Sequence, residues 1–240
     1  VAGLAELAPA ALVVEAIVED LQVKRALFEE LEAIVAPDAV LATNTSSLSV
    51  TAIAAGCARP ERVVGFHFFN PVPLMKIVEV VDGVRGAREV GDAMMGLARR
   101  MGHLPVRAKD TPGFIVNHAG RGYGTEALRL LSENVAEPRV IDAVLRDQAG
   151  FRLGPFELMD LTGLDVSVPV MESIYRQYFE EPRFRPSPLA ALRRVAGLLG
   201  RKTGEGWYRY AEGRAQVDPE PAPPAARPAC VWVSAARPAL

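Results

Sequence analysis

The sequence predicts an α/β first domain, a mostly parallel sheet with helices on its faces, followed by an all-helical C-terminal domain. Three observations carry this. From Leu12 to Thr43 short apolar strands alternate with a helix-period segment, the pattern of a parallel sheet with helical crossovers. Two more apolar runs, about Val63 to Phe69 and Lys76 to Val81, are rich in Val, Ile and Phe, and Asn70-Pro71 and Pro73 break the chain between them. From Phe114 onward the apolar residues recur at helical spacing.

Leu12 to Ala16 reads as a buried strand, followed by a loop carrying Glu19 and Asp20. Leu21 to Val35 reads as an amphipathic helix. Leu27, Phe28, Leu31, Ile34 and Val35 form its apolar stripe, with Lys24, Arg25, Glu29, Glu30 and Glu32 largely outside it. Asp20 is placed to cap it and Pro37 to close it. Val40 to Thr43 is the next strand, running into the polar loop Asn44 to Ser47, and a brief helix follows near Thr51 to Ala55. After the two apolar runs come a helix from about Glu89 to Met101 and a last strand, Leu104 to Ala108.

Lys109 to Gly113 marks the boundary, giving one domain over residues 1–109 and a second over 110–210. A long helix is expected from Gly113 to Leu131, weakened by Gly120, Gly122 and Gly124. Further helices are expected at Pro138 to Gln148, Pro155 to Asp160, Val166 to Tyr178 and Pro188 to Leu199, then a glycine-punctuated loop from Gly200 to Tyr208. Residues 211–228 are rich in Pro and Ala and read as a linker. Residues 229–240, with the run Cys230 to Val233, read as the start of a further segment. The chain opens on Val1, close to a buried strand, so residues are expected upstream of it.

Composition excludes several classes. Half the residues are hydrophobic and the net charge is −2, which leaves no electrostatic footprint for nucleic acid or an anionic membrane surface. No apolar run approaches the roughly 20 residues of a membrane-spanning helix. The two cysteines, Cys57 and Cys230, lie far apart and suggest neither a disulfide framework nor a zinc site. A reducing cytoplasm is the expected location.

The chemistry centres on the two apolar runs. If they pair as a hairpin with Val64 facing Asp82, His67 falls opposite Glu79, close enough to interact. An imidazole oriented by a carboxylate is the core of a general base. A carboxylate interrupting KIVEVV also needs a partner once buried, although buried His–Glu pairs can equally be structural. Beyond the carboxyl ends of the strands, where such sheets bind ligands, fall Glu19, the Asn44 to Ser47 loop with Ser46, and Asn70. On local grounds Ser46 is equally a turn residue, Asn117 a surface residue at a helix start and Lys202 a solvated turn lysine. Glu19 and Lys24 could likewise be an ordinary charged face.

The segments NTSSLS, GFHFFNPVPLMKIVEVV, DTPGFIVN, GPFELMDLTGLD and GRKTGEGWYRY, in that order, resemble the L-3-hydroxyacyl-CoA dehydrogenase family over about Leu12 to Tyr210. The resemblance implies an incomplete Rossmann-type NAD-binding domain, a helical domain that makes a homodimer, and oxidation of (S)-3-hydroxyacyl-CoA to 3-oxoacyl-CoA in fatty-acid or aromatic-compound degradation. It implies His67 as general base and Glu79 as its orienting carboxylate, with Ser46 and Asn117 on the substrate's reacting oxygen or thioester. Glu19, Lys24 and Asn70 would lie along the nicotinamide and CoA path, and Lys202 would contact the cofactor from the second domain. Two other readings stay open: a dehydrogenase of a non-CoA hydroxy acid, and a catalytically idle dinucleotide-binding or structural homologue.

The family's G-x-G-x-x-G fingerprint does not occur in the sequence and is expected upstream of Val1. These 240 residues alone are therefore expected to bind NAD poorly, which isothermal titration can check; tight binding would refute it.

Overall fold

The computed structural model describes residues 3–216 and residue 230. The first domain holds five strands in sequence order across one sheet: β1 (Leu12–Glu15), β2 (Val40–Thr43), β3 (Val63–Phe68), β4 (Ile77–Asp82) and β5 (Leu104–Lys109). All neighbours are parallel except β3 and β4. Helices α1 (Leu21–Ile34), α2 (Val50–Ala54) and α3 (Arg88–Arg100) complete the layers. Asp20 caps α1, its side chain accepting from Gln22 N and Val23 N at 2.9 and 3.0 Å.

Period-two alternation sends successive strand residues to opposite faces. On one face Leu41, Val63 and Val81 pack with Phe28 and Leu31 of α1 and with Val50 and Ile53 of α2. On the other, Ala42, Val64, Phe66, Val78 and Val80 pack with Met94 and Ala98 of α3. Each fully buried side chain of this size contributes about 1.5–3 kcal/mol. His67 and Glu79 fall in phase with Val63 and Val81, so both point to the α1 and α2 face. Gly65 lies between them: a Cβ there would stand 2.7 Å from Val81 Cβ and 2.9 Å from Val50 Cγ2.

Lys24 departs from expectation. It is one of the buried residues of α1, 1% exposed, rather than part of a solvated face, because two carboxylates surround its ammonium.

The second domain contains α4 (Val116–Ala119), α5 (Arg121–Ser132), α6 (Pro138–Ala143), α7 (Pro155–Thr162), α8 (Leu164–Gln177) and α9 (Pro188–Val195). Leu128, Phe156, Leu164, Val168, Met171 and Trp207 are among its core residues. The expected helix from Gly113 begins only at Val116, since Gly113 and Phe114 take positive φ (78° and 49°), and it is divided at Gly120. A π-helical turn, Val144–Gln148, extends α6. Helix α9 stops at Val195, short of Leu199, and Gly197 follows it at φ 76°.

Regular structure also continues past Ala211, where the linker was placed. Strands β6 (Arg209–Ala211) and β7 (Arg214–Gln216) form an antiparallel hairpin. The rest of the linker, and all of the further segment except exposed Cys230, lie outside the described residues. Among the described residues no helix is long and apolar enough to cross a membrane.

Buried Asp160 anchors the chain ahead of this hairpin. It accepts from Trp207 N, Tyr208 N and the Tyr210 hydroxyl, each at 2.9 Å. Replacing it with Ala orphans two backbone donors. Asp160→Ala should lower unfolding free energy by at least about 2 kcal/mol, read as a reduced urea midpoint at unchanged m-value.

Candidate active site

The hairpin register pairs Val64 with Asp82 and His67 with Glu79. His67 Nδ1 lies 2.7 Å from Glu79 Oε2, and Glu79 is 0% exposed. A carboxylate can only accept, so Nδ1 carries a proton, and in the neutral imidazole Nε2 then keeps its lone pair. Ser46 Oγ stands 3.1 Å from that Nε2. Asn117 Nδ2 donates to the Ser46 carbonyl at 3.3 Å. Glu79, His67, Ser46 and Asn117 thus form one connected group drawn from β4, β3, the β2–α2 loop and α4.

The second oxygen of Glu79 reaches the other domain. Oε1 accepts from Ile115 N at 2.9 Å and Val116 N at 3.0 Å. Burial pushes the Glu79 carboxyl up; the His67 hydrogen bond, the two N–H groups and the imidazole charge overcome this and hold it below the ordinary 4.5. Phe114 sits in the left-handed region, which side chains rarely adopt, and places its ring 5.8 Å from the imidazole. Gly113 before it has no room for a Cβ, which would meet His118 N and Ile174 Cδ1 at 2.9 Å each.

A second polar group builds the loop that carries Ser46. Lys24 Nζ lies 2.5 Å from Glu15 Oε1, 3.3 Å from Glu19 Oε2 and 3.5 Å from the Ile17 carbonyl. Its three donors therefore all have partners. Glu15 Oε2 accepts from Thr43 Oγ1 at 2.7 Å. Glu19 Oε1 accepts from Thr45 Oγ1, Ser46 N, Ser47 N and Ser47 Oγ at 2.6–3.1 Å. Burial raises the Glu19 carboxyl, while Thr45, Lys24 and the Ser46 and Ser47 N–H groups bring it below its usual range. Asn44 Oδ1 accepts from Phe68 N at 2.8 Å.

These groups open onto a cleft of about 420 Å³ between the domains. Glu19, Lys24, Asn44 and Ser46 line it from one side; Asp165, Val166, Pro169, Val170 and Ser173 line it from α8. Lys202 reaches it only through Asp165, whose carboxylate it holds at 2.5 Å; that hydrogen bond lowers the Asp165 carboxyl. Asn70 is not gathered in. It lies exposed after β3, ahead of a cis peptide to Pro71. Hollows of about 530 and 600 Å³ on the helical domain contain none of the expected site residues.

Several contributors were not anticipated. Glu15 and Thr43 fix Lys24 from the strand ends. Gln177, the last residue of α8, donates to the Ser47 carbonyl at 2.6 Å and ties the helical domain to the loop. Asp110 caps α2, accepting from Val50 N, Thr51 N and Ser49 Oγ at 2.7–3.0 Å. The only sequence signal was an acid ending an apolar strand at Glu15 and one opening the domain boundary at Asp110.

The model of the 3-hydroxyacyl-CoA dehydrogenase NAD-binding domain matches residues 1–111, and that of the C-terminal domain matches residues 113–210. The chain belongs to the 3-hydroxyacyl-CoA dehydrogenase family. It is 50% identical over 211 residues to the 3-hydroxyadipyl-CoA dehydrogenase of Escherichia coli, covering 88% of this chain and 44% of that protein. Among solved structures, 3-hydroxybutyryl-CoA dehydrogenase from Escherichia coli superposes with a TM-score of 0.85 at 50% identity, over 92% of this chain and 47% of that one. (S)-3-hydroxybutyryl-CoA dehydrogenase from Ralstonia eutropha gives 0.83 at 36% identity, over 88% and 74%. The chain thus spans less than half the length of the two Escherichia coli relatives.

Part of the acid stability follows from two of the depressed carboxylates, Glu19 and Glu79. Their folded-state pKa values lie below the ordinary 4.5, so in that window the unfolded chain binds more protons. Their stabilising contribution is complete above about pH 4.5 and is lost as pH falls through the folded-state values. Glu79→Gln removes one such group and should make unfolding free energy fall less steeply below pH 4.5, measured by urea unfolding at a series of pH values.

Proposed function

We propose that the protein is an NAD-dependent (S)-3-hydroxyacyl-CoA dehydrogenase in which His67 is the general base. The observation that carries this is the continuous path Glu79–His67–Ser46, with the free lone pair of Nε2 directed at the hydroxyl of Ser46. Family membership and the relatives' printed activities support the same reading.

Oxidation of a secondary alcohol removes the hydroxyl proton as hydride leaves the same carbon. NAD, when bound, supplies the hydride acceptor. His67 Nε2 takes the hydroxyl proton, and Glu79 stabilises the imidazolium that forms and keeps Nδ1 protonated. The Ser46 hydroxyl and the Asn117 amide hold the reacting oxygen and the thioester, which fixes the angle between substrate and base. Phe69 and Phe114, with ring centroids 4.4 and 5.8 Å from the imidazole, limit water around the base and strengthen its pairing.

The cleft suits the nicotinamide end of the cofactor. Ala16, Ile17, Leu48, Val166, Pro169 and Val170 offer apolar walls to a flat ring, and Glu19, Asn44 and Ser46 offer partners for its carboxamide. A Gly-rich cradle for the diphosphate is not among the described residues. Lys24, fully engaged with Glu15, Glu19 and Ile17, acts here by fixing Glu19, and Lys202 by fixing Asp165. A homodimer formed through the helical domain belongs to the same proposal. The exposed Val140, Val144, Phe151, Leu158 and Leu161 support it, since they give that domain apolar surface to cover.

In the full-length protein His67→Ala should lower kcat by on the order of 10²- to 10⁴-fold with a small change in KM. Glu79→Gln should lower kcat less and shift the acidic limb of the pH–rate profile, where the general base must lose its proton. Turnover that survives His67→Ala intact would remove the general-base role.

A further inference from the structure

Helix α8 faces the cleft with Val166, Pro169, Val170 and Ser173, and Gln177 stands one turn beyond Ser173 on the same face. Its amide nitrogen donates to Ser173 Oγ at 3.0 Å and, across the domain boundary, to the Ser47 carbonyl at 2.6 Å. A carbonyl can only accept, so the orientation of the amide is fixed and both of its N–H groups are engaged.

Three pairs of adjacent residues close a ring around this contact. Asn117 of α4 holds the Ser46 carbonyl at 3.3 Å, and Gln177 of α8 holds the next carbonyl along the chain. His118, beside Asn117, lies with Nδ1 2.9 Å from the hydroxyl of Tyr178, beside Gln177. The Tyr178 ring also stacks on Phe184, with centroids 4.6 Å apart. The end of α8 and helix α4 therefore grip the Ser46–Ser47 segment together. From the sheet side, Glu19 Oε1 accepts from Ser46 N and Ser47 N at 3.0 and 3.1 Å.

The two grips from the helical domain are unequal. The Asn117 bond is long, and the same amide also has the substrate to hold. The Gln177 bond is short and has no second duty beyond its own helix. We propose that Gln177 is a positioning residue: by holding the Ser47 carbonyl it keeps the Ser46 hydroxyl, 3.1 Å from His67 Nε2, at the angle the reacting oxygen requires. This rests on the dehydrogenase reading, which gives Ser46 its contact with that oxygen. Gln177 is not among the cleft-lining residues and acts through Ser46. Small displacements of a group that orients the reacting atoms are costly to rate, so the loop reaches its working geometry only while the helical domain is docked on it.

A double-mutant cycle in the full-length protein tests this, with oxidation of 3-hydroxybutyryl-CoA by NAD as the readout. Gln177→Met keeps the side-chain length and removes the donor. It should lower kcat by on the order of 10-fold with Ser46 present. In a Ser46→Ala background, where no hydroxyl is left to position, the same change should cost less than about 2-fold. Gln177→Glu, similar in shape but without an N–H for the carbonyl, should follow the same pattern, and urea midpoints measured alongside establish that folded enzymes are compared. Equal losses in the two backgrounds would make Gln177 a tether between domains and nothing more, and would overturn the proposal. Unchanged kcat in both Gln177 variants would overturn it as well. A wild type that oxidises no 3-hydroxyacyl-CoA ester would instead sink the dehydrogenase reading, and this inference with it.

Discussion

A carboxylate with no access to solvent must satisfy its lone pairs inside the protein, and at Glu79 that requirement fixes three elements at once. One oxygen takes the imidazole from β3, and the other takes two consecutive backbone N–H groups from the turn into α4. The antiparallel register supplies the first contact at no further cost, because His67 and Glu79 are cross-strand partners. The second needs the chain to reverse sharply after β5, hence positive φ at both Gly113 and Phe114. Local backbone strain at a site of this kind persists only when its surroundings over-determine it. Here Phe114 is held by its place in the sheet-side core.

The polar group around Lys24 does for the Ser46 loop what Glu79 does for the imidazole. A lysine at 1% exposure is retained because Glu15 and Glu19 compensate its charge. One acid lies in the sheet, where Thr43 also holds it; the other lies in the loop, where it gathers the Thr45, Ser46 and Ser47 groups. Helix α1, strand β2 and the loop are thereby locked through charge and hydrogen bonds rather than apolar packing alone. Removing one member of such a buried set leaves an uncompensated charge, so its loss costs more than loss of a surface ion pair.

What could be read from residues alone followed periodicity. The two apolar runs were legible as strands, but the His67–Glu79 pairing rested on assuming that Val64 faces Asp82, which is the register found; Asp20, Pro37 and the apolar stripe were sufficient for α1. The burial of Lys24 was not legible, because helical periodicity places it off the apolar stripe and has no means of seeing two acids arriving from β1 and the following loop. The start of α4 was set three residues early because nothing local announces a positive-φ phenylalanine; tertiary contact with Glu79 and His67 imposes it. The hairpin after Tyr208 was hidden for a related reason. Its strands are three residues each, and the chain ahead of them is secured by one buried aspartate 47 residues earlier than Trp207.

The turn through Gly113 to Val116 has a consequence for modular rearrangement. The two domains have separate cores, which invites exchanging the helical domain between relatives to alter acyl preference. Yet the carboxylate that orients the imidazole in one domain is completed by backbone amides of the other, and Gln177 closes a second link to the Ser47 carbonyl. A recombination point placed within this turn would join two well-packed halves around a base whose carboxylate takes its two N–H donors from a turn of mixed parentage. A crossover before β3 or well inside α5 keeps Glu79 and the Ile115 and Val116 amides from a single parent, although the Gln177–Ser47 link then spans both.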